Sequence, residues 1–255
     1  MIYYSIKNKK EIVIFGHRGA PRLYPENSID ALVKSISLGS NGVEFDIQIT
    51  ADNQIILFHD DYIVSSQNKK HFIKKTNYSV ICQLCKADKA PPPAHLDEVL
   101  NIIKNHTQVI FNIEIKSNSA NNFKILKQVL SKIPKEALRN RCIISSFNPL
   151  LLFQLKLQFF YKGSTALILD SKKIKQWGGV FFSKIFILLL RPQFLHININ
   201  YLNKELINWA HNHYISINTY TINDFQTLQK CISFKIDGVF TDNHHLYNAN
   251  NNPRA

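Results

Sequence analysis

Short β-branched and apolar runs alternate along this chain with longer stretches in which apolar residues recur at helical spacing. Ile12 to Phe15 reads as a strand and Ser28 to Leu38 as a helix, capped by Asn27 or Ser28 and with Asp30 in its first turn. Val43 to Thr50 is a second strand, followed by a short extended run, Gln54 to Phe58. The segment from Asp60 to about His95 reads as polar and irregular, ending in Pro91-Pro92-Pro93. Leu96 to Asn105 is then helical, Gln108 to Ile115 a strand, and Asn122 to Ile133 a helix stopped by Pro134. Cys142 to Ser145, Thr165 to Leu169, Phe194 to Ile199, Ile215 to Tyr220 and Gly238 to Phe240 complete the strands. Helices are predicted from near Pro149, over Asn203 to His213 and over Asp224 to Ile232.

Eight strands, most followed by a helix, imply parallel βαβ units. In 255 residues they point to a closed (β/α)₈ barrel spanning 1–255 as one domain, with an open doubly wound sheet as the alternative. The Asn-rich tail, Asn248 to Ala255, is expected to fray.

Composition changes this picture little. Apolar residues at 45% and charged residues at 19% are an ordinary globular balance. The first ten residues show neither an apolar h-region nor a small-residue cleavage site, and Val180 to Leu190 is too short to span a bilayer, so a cytoplasmic protein is expected. Cys82 and Cys85 have the spacing of half a zinc site, but no second pair follows, so all four cysteines are read as reduced thiols. The net charge of +13 favours anionic partners: phosphate esters, nucleic acid or an acidic membrane surface. Basic clusters are short, as at Lys7 to Lys10 and Lys172-Lys173, and no nucleic-acid-binding signature accompanies them, so nucleic acid is not expected as a partner.

The residues with chemistry fall at strand ends, where a barrel places its active site. Gly16-His17-Arg18-Gly19 closes the first strand, and Phe58-His59-Asp60 ends the extended run. Glu44 and Asp46 are two apart on the second strand, as are Glu114 and Lys116 on the third, so each pair shares a face. Three carboxylates together suit a hard divalent cation, Mg²⁺ or Ca²⁺ rather than Zn²⁺. Lys116 and Arg18 are suited to a phosphate, and His17 and His59 to acid–base work near neutral pH. Spacing alone stops at a metal-assisted hydrolase or lyase.

A resemblance goes further. Gly16-His17-Arg18-Gly19-Ala20, Tyr24-Pro25-Glu26-Asn27-Ser28, Val43-Glu44-Phe45-Asp46 and Phe58-His59-Asp60 are similar, in order and spacing, to the N-terminal blocks of glycerophosphodiester phosphodiesterases. The resemblance continues through Leu96-Asp97-Glu98, Asn112 to Lys116, Ser145-Ser146-Phe147, Tyr220 to Asp224 and Asp237 to Asp242. It implies a (β/α)₈ barrel that hydrolyses glycerophosphodiesters to sn-glycerol 3-phosphate and an alcohol. It further implies Glu44, Asp46 and Glu114 as cation ligands and His17 and His59 as the acid–base pair. Arg18, Lys116, Asn27 and Tyr220 would serve the substrate, with Asn27 near the metal or ordering the site. The family carries a small insertion beside the barrel mouth where this chain has Asp60 to His95, which is expected to cover the site and shape specificity.

This chain departs from the family pattern at several positions. Ser28 replaces a Thr but keeps a capping hydroxyl, and Asn53 stands where Gly is common but tolerates the left-handed conformation. Asp61 to Ser66 lacks an Arg-Thr-Thr element, and Tyr220 replaces a Trp, which bears on substrate preference. The alternatives are a lysophospholipase D, whose mouth would be apolar and which the positive charge would draw to membranes, and a barrel that binds phosphate or membrane without turnover. Phe181, Phe182, Ile185, Phe186 and Leu188 to Leu190 supply the apolar surface for the first of these, or a helix face turned to the core.

Overall fold

The computed structural model of the protein describes residues 12–116, 122–170 and 180–247. The Lys7–Lys10 and Lys172-Lys173 clusters, the tail from Asn248 and the side chains of Phe181 and Phe182 lie outside the described residues. Eight parallel strands close into a barrel: β1 (Val13–Gly16), β2 (Gly42–Ile49), β6 (Ile110–Ile115), β7 (Cys142–Ser146), β8 (Ser164–Leu169), β9 (Phe194–Asn198), β10 (Ser216–Tyr220) and β11 (Gly238–Thr241). β1 pairs with β11 on one side and with β2 on the other, through Phe15↔Gly42 and Gly16↔Val43, which completes the ring. β3 (Ile55–Leu57) runs antiparallel on the outer edge of β2.

Helices α1 (Ile29–Ser37), α3 (Leu96–Asn105), α4 (Asn122–Lys132), α6 (Pro149–Leu157), α7 (Val180–Leu190), α8 (Lys204–Asn212) and α9 (Phe225–Ser233) connect the barrel strands. Several start where a side chain accepts from an orphan N–H: Ser28 from Ala31, Asn203 from Leu206 and Asp224 from Thr227. A short helix, α5 (Lys135–Asn140), follows Pro134, where the sequence pattern marked only a stop. Asn53 adopts φ 62°, the left-handed turn expected of it.

The barrel strands are buried along nearly their whole length, and alternate residues serve two cores. Val43, Phe45 and Ile47 of β2 and Phe111, Ile113 and Ile115 of β6 join the large cluster shared with the helices. Val13, Phe15, Ile110, Ile143, Ala166, Phe194 and Phe240 form a separate apolar plug inside the ring. This parity leaves Glu44, Asp46, Gln48, Asn112, Glu114 and Lys116 facing inward above the plug.

The expectation of an irregular segment between Asp60 and His95 is corrected. It contains a hairpin, β4 (Tyr62–Val64) with β5 (Lys70–Phe72), and a helix, α2 (Tyr78–Ala87). Ile73, Ile81 and Cys85 pack with Ile56 of β3 in a core of their own. None of the four cysteines is in a disulfide.

Candidate active site

A cavity of about 300 Å³ opens at the C-terminal ends of the strands. His17, Arg18, Glu44, Asp46, His59, Glu114, Lys116 and Tyr220 all line it, so eight of the nine residues singled out in the sequence meet there. The ninth, Asn27, is 4% exposed and stands behind Asp46. No residue from 60 to 95 is among those that line the cavity, and Ile73, Ile81 and Cys85 of the insertion pack on Ile56 of β3.

Register brings the carboxylates together. β2 and β6 are parallel neighbours, and Asp46 lies opposite Glu114 while Glu44 lies opposite Asn112. One oxygen from each of Glu44, Asp46 and Glu114 falls within 4.8 Å of the others. Burial, followed by the charges of Asp46 and Glu114, pushes the Glu44 carboxyl up to about 8. Glu114 is also raised, again by burial first. Asp46 is lowered: Lys116, His59 and Arg18 outweigh its desolvation. Lys116 Nζ lies 3.0 Å from Asp46 and 2.5 Å from Glu114, and these carboxylates hold its pKa up against burial.

The arrangement fits a divalent cation. Glu44 Oε2 accepts from the Arg18 amide at 2.8 Å, but Glu44 Oε1 is buried with no hydrogen-bond partner. A buried carboxylate oxygen left unpaired among like charges is costly, and a hard cation with oxygen ligands is the group that relieves it. Asp46 is pre-oriented for this by Asn27, whose Nδ2 donates to Asp46 Oδ2 at 2.9 Å and whose Oδ1 accepts from the Asp46 amide at 3.0 Å. Asn27 reaches that position at φ 58°, which Asn tolerates better than most residues.

Arg18 also has a left-handed backbone, φ 53°, and its side chain is engaged on two sides. Its Nη1 donates to both Glu26 oxygens, and Nε lies 3.4 Å from Asp46. Gly19 follows at φ 87°, where a Cβ would lie 2.5 Å from the backbone of Ala31, so this turn sits directly on α1.

Each histidine has a carboxylate on its Nδ1. His17 meets Asp242 at 2.7 Å and His59 meets Asp60 at 2.7 Å. Such partners favour the tautomer that carries the proton on Nδ1 and leaves Nε2 for chemistry. Burial works against protonation of both imidazoles. At His17, Asp242 and Glu44 overcome it and raise the pKa; at His59, nearby Lys116 adds to it and the pKa falls.

Three supporting residues, Asp242, Asn223 and Gln48, were given no role in the sequence reading, although Asn223 and Asp242 lie in the blocks that carry the resemblance. Asp242 is fixed by Asn223, which donates to Oδ2 at 2.9 Å and accepts from the Asp242 amide at 2.8 Å. Gln48 Nε2 donates to the carbonyls of Phe58 and Asp60, at 3.0 and 2.8 Å, and so ties the His59 loop to β2. Gln48 shares the parity of Glu44 and Asp46, which was a readable signal; the pairing of His17 with Asp242 had none. Tyr220 donates to the Leu169 carbonyl at 3.0 Å, holding its ring at the cavity wall.

A parallel barrel whose mouth gathers Glu44, Asp46 and Glu114 with His17, His59, Arg18 and Lys116 has groups suited to phosphate-ester hydrolysis and to holding a divalent cation. Residues 17–246 match the glycerophosphoryl diester phosphodiesterase family, and the chain belongs to that family. A glycerophosphodiester phosphodiesterase of Bacillus altitudinis is 25% identical over 90% of this chain and 94% of its own length. One from Caldanaerobacter subterraneus subsp. tengcongensis is 24% identical over 90% of this chain and 93% of its own. Among solved structures, an Oleispira antarctica phosphodiesterase, in complex with the product sn-glycerol-3-phosphate, superposes with a TM-score of 0.80 at 20% identity. It covers 98% of this chain and 99% of its own. No described helix is long and apolar enough to cross a membrane.

Proposed function

We propose that the protein hydrolyses glycerophosphodiesters to sn-glycerol 3-phosphate and an alcohol, using a divalent cation, Mg²⁺ or Ca²⁺, and acid–base catalysis by His17 and His59. The observation that carries this reading is the buried Glu44–Asp46–Glu114 cluster with its unpartnered Glu44 oxygen, facing two imidazoles that each have Nδ1 engaged. Family membership and the product bound by the Oleispira relative support the substrate class.

Glu44, Asp46 and Glu114 would hold the cation, which when bound supplies positive charge to a phosphate oxygen. Lys116 uses two of its three N–H donors on Asp46 and Glu114, leaving one for a second phosphate oxygen. Arg18 adds charge beside it. One imidazole takes the proton from the attacking hydroxyl, and the other gives a proton to the departing alkoxide, a poor leaving group without it. Phe147, Ile168 and Phe240 make part of the wall apolar, and on that observation an acyl-bearing diester, the lysophospholipase D reaction, is the second substrate class.

The test uses metal-stripped protein with glycerophosphocholine, glycerophosphoethanolamine and a lysophospholipid, assayed for the released alcohol and glycerol phosphate. Release that appears with Mg²⁺ or Ca²⁺ and disappears with chelator is expected. Silence on all three substrates with both ions would refute the reading.

Asp242 acts here as a positioning residue. Asp242→Asn is expected to lower kcat on the order of 10²-fold, the lower end of what acid–base catalysis contributes. It also removes a carboxylate that raises the His17 pKa, so the limb of the pH–rate profile set by His17 moves to lower pH. A drop in kcat with an unmoved profile would show that Asp242 does not govern His17.

A further inference from the structure

We infer that the outer face of α6 and α7 docks the protein on an anionic lipid bilayer. Leu150, Phe153 and Leu157 recur at i, i+3 and i+7 of α6 and are 66%, 49% and 56% exposed, although Leu151, Leu152 and Leu155 already fill its core side. The helix is therefore apolar on two faces, and only one is used by the barrel. α7 lies alongside, fastened by Lys156, whose Nζ donates to the carbonyls of Leu190 and Arg191. It exposes Leu189 at 73% while Ile187 and Leu190 are buried. Just past α6, Phe160 is 79% exposed at the edge of a cleft of about 240 Å³ that also holds Lys135, Arg139 and Lys162.

Charge selects the occupant. Residues 137–204, which contain both helices, carry ten Lys or Arg and one acidic residue, Asp170. Three of the ten, Lys172, Lys173 and Lys175, lie outside the described residues. Around the exposed apolar side chains the described residues place the exposed cations Lys135, Arg139, Lys162 and Arg191, against the acids Glu136 and Glu205, the latter paired with Lys184 at 3.1 Å; that excess of positive charge matches a membrane surface bearing negative headgroups. The cleft beside Phe160 offers those headgroups a phosphate-sized cationic site. Leu150 follows Phe147 of the cavity wall by three residues and marks the active-site end of this face, while the cleft lies at its other end, where β8 begins.

The experiment is co-sedimentation of the full chain with vesicles of phosphatidylcholine alone or mixed with phosphatidylglycerol. It needs no turnover, so its failure leaves the proposed reaction standing. Binding to the mixed vesicles is expected, weak on pure phosphatidylcholine and reduced by high salt. The triple variant L150Q/F153Q/L189Q is expected to bind about tenfold less, because apolar insertion and charge act together, while circular dichroism and hydrolysis of a soluble diester show that it is folded. Absence of wild-type binding, or equal binding by the variant, would overturn the inference. So would a dimer in solution that the same substitutions dissociate without any vesicle binding, which would assign the face to a second copy of the chain.

Discussion

Glu44→Gln is expected to make the metal-stripped protein more stable and the enzyme inactive. Glu44 is 2% exposed, pushed up to about 8 by burial and by the neighbouring carboxylates. A carboxyl raised in the folded state above its ordinary value of 4.5 gives full stability below that value and loses it as pH rises towards 8. At neutral pH the native protein therefore carries an unrelieved cost at this position. A neutral amide of the same shape removes it. The expected gain is several degrees in Tm, at about 2–4 °C per kcal/mol for a chain of this length, and it should fade in wild-type comparisons below pH 5. Added Mg²⁺ or Ca²⁺ reverses the order: it raises the Tm of the wild type by binding the folded state, and leaves the variant unmoved. A variant less stable than the stripped wild type, or one that still gains stability from the cation, would show that Glu44 is not held in reserve for a metal.

The second large effect separates the two histidines. His17→Ala and His59→Ala are each expected to lose ~10²–10⁴-fold in kcat on a glycerophosphodiester with an alkyl leaving group. A p-nitrophenyl diester leaves without protonation, so the variant lacking the acid recovers most of its rate on it, while the variant lacking the base does not. Equal recovery of both variants would mean that neither serves as a dedicated acid. Equal recovery of neither would confine both to the attacking side or to holding the phosphate.

The barrel strands and most flanking helices were legible because each barrel strand is short, apolar and bounded by turns, while each helix keeps its own period. The acidic cluster was legible for the same reason, since Glu44 and Asp46 on β2 and Glu114 on β6 alternate with apolar residues and so share one face of each strand. The insertion was not. Its three-residue strands include Lys70 and His71, and its separate core has four members, too few to impose a period. α5 is a six-residue helix behind a proline that reads as a terminator. Asn27 was expected to serve the substrate, near the metal or ordering the site; its polar atoms are given to Asp46, a placement that depends on the turn after β1 rather than on residue type.

The contact between His17 and Asp242 joins positions 225 residues apart, and the ring itself closes between β1 and β2 on one flank and β1 and β11 on the other. Contacts of such separation carry the loop-closure cost of nearly the whole chain and are expected to form late in folding. With His17 in its proposed role, catalytic competence is expected only of the finished chain. A nascent or refolding protein that has stacked its first seven strands holds the carboxylates on β2 and β6, yet lacks the carboxylate that orients His17. During refolding, hydrolysis should return with the slowest phase, after helical signal has recovered, which makes turnover a reporter of barrel closure.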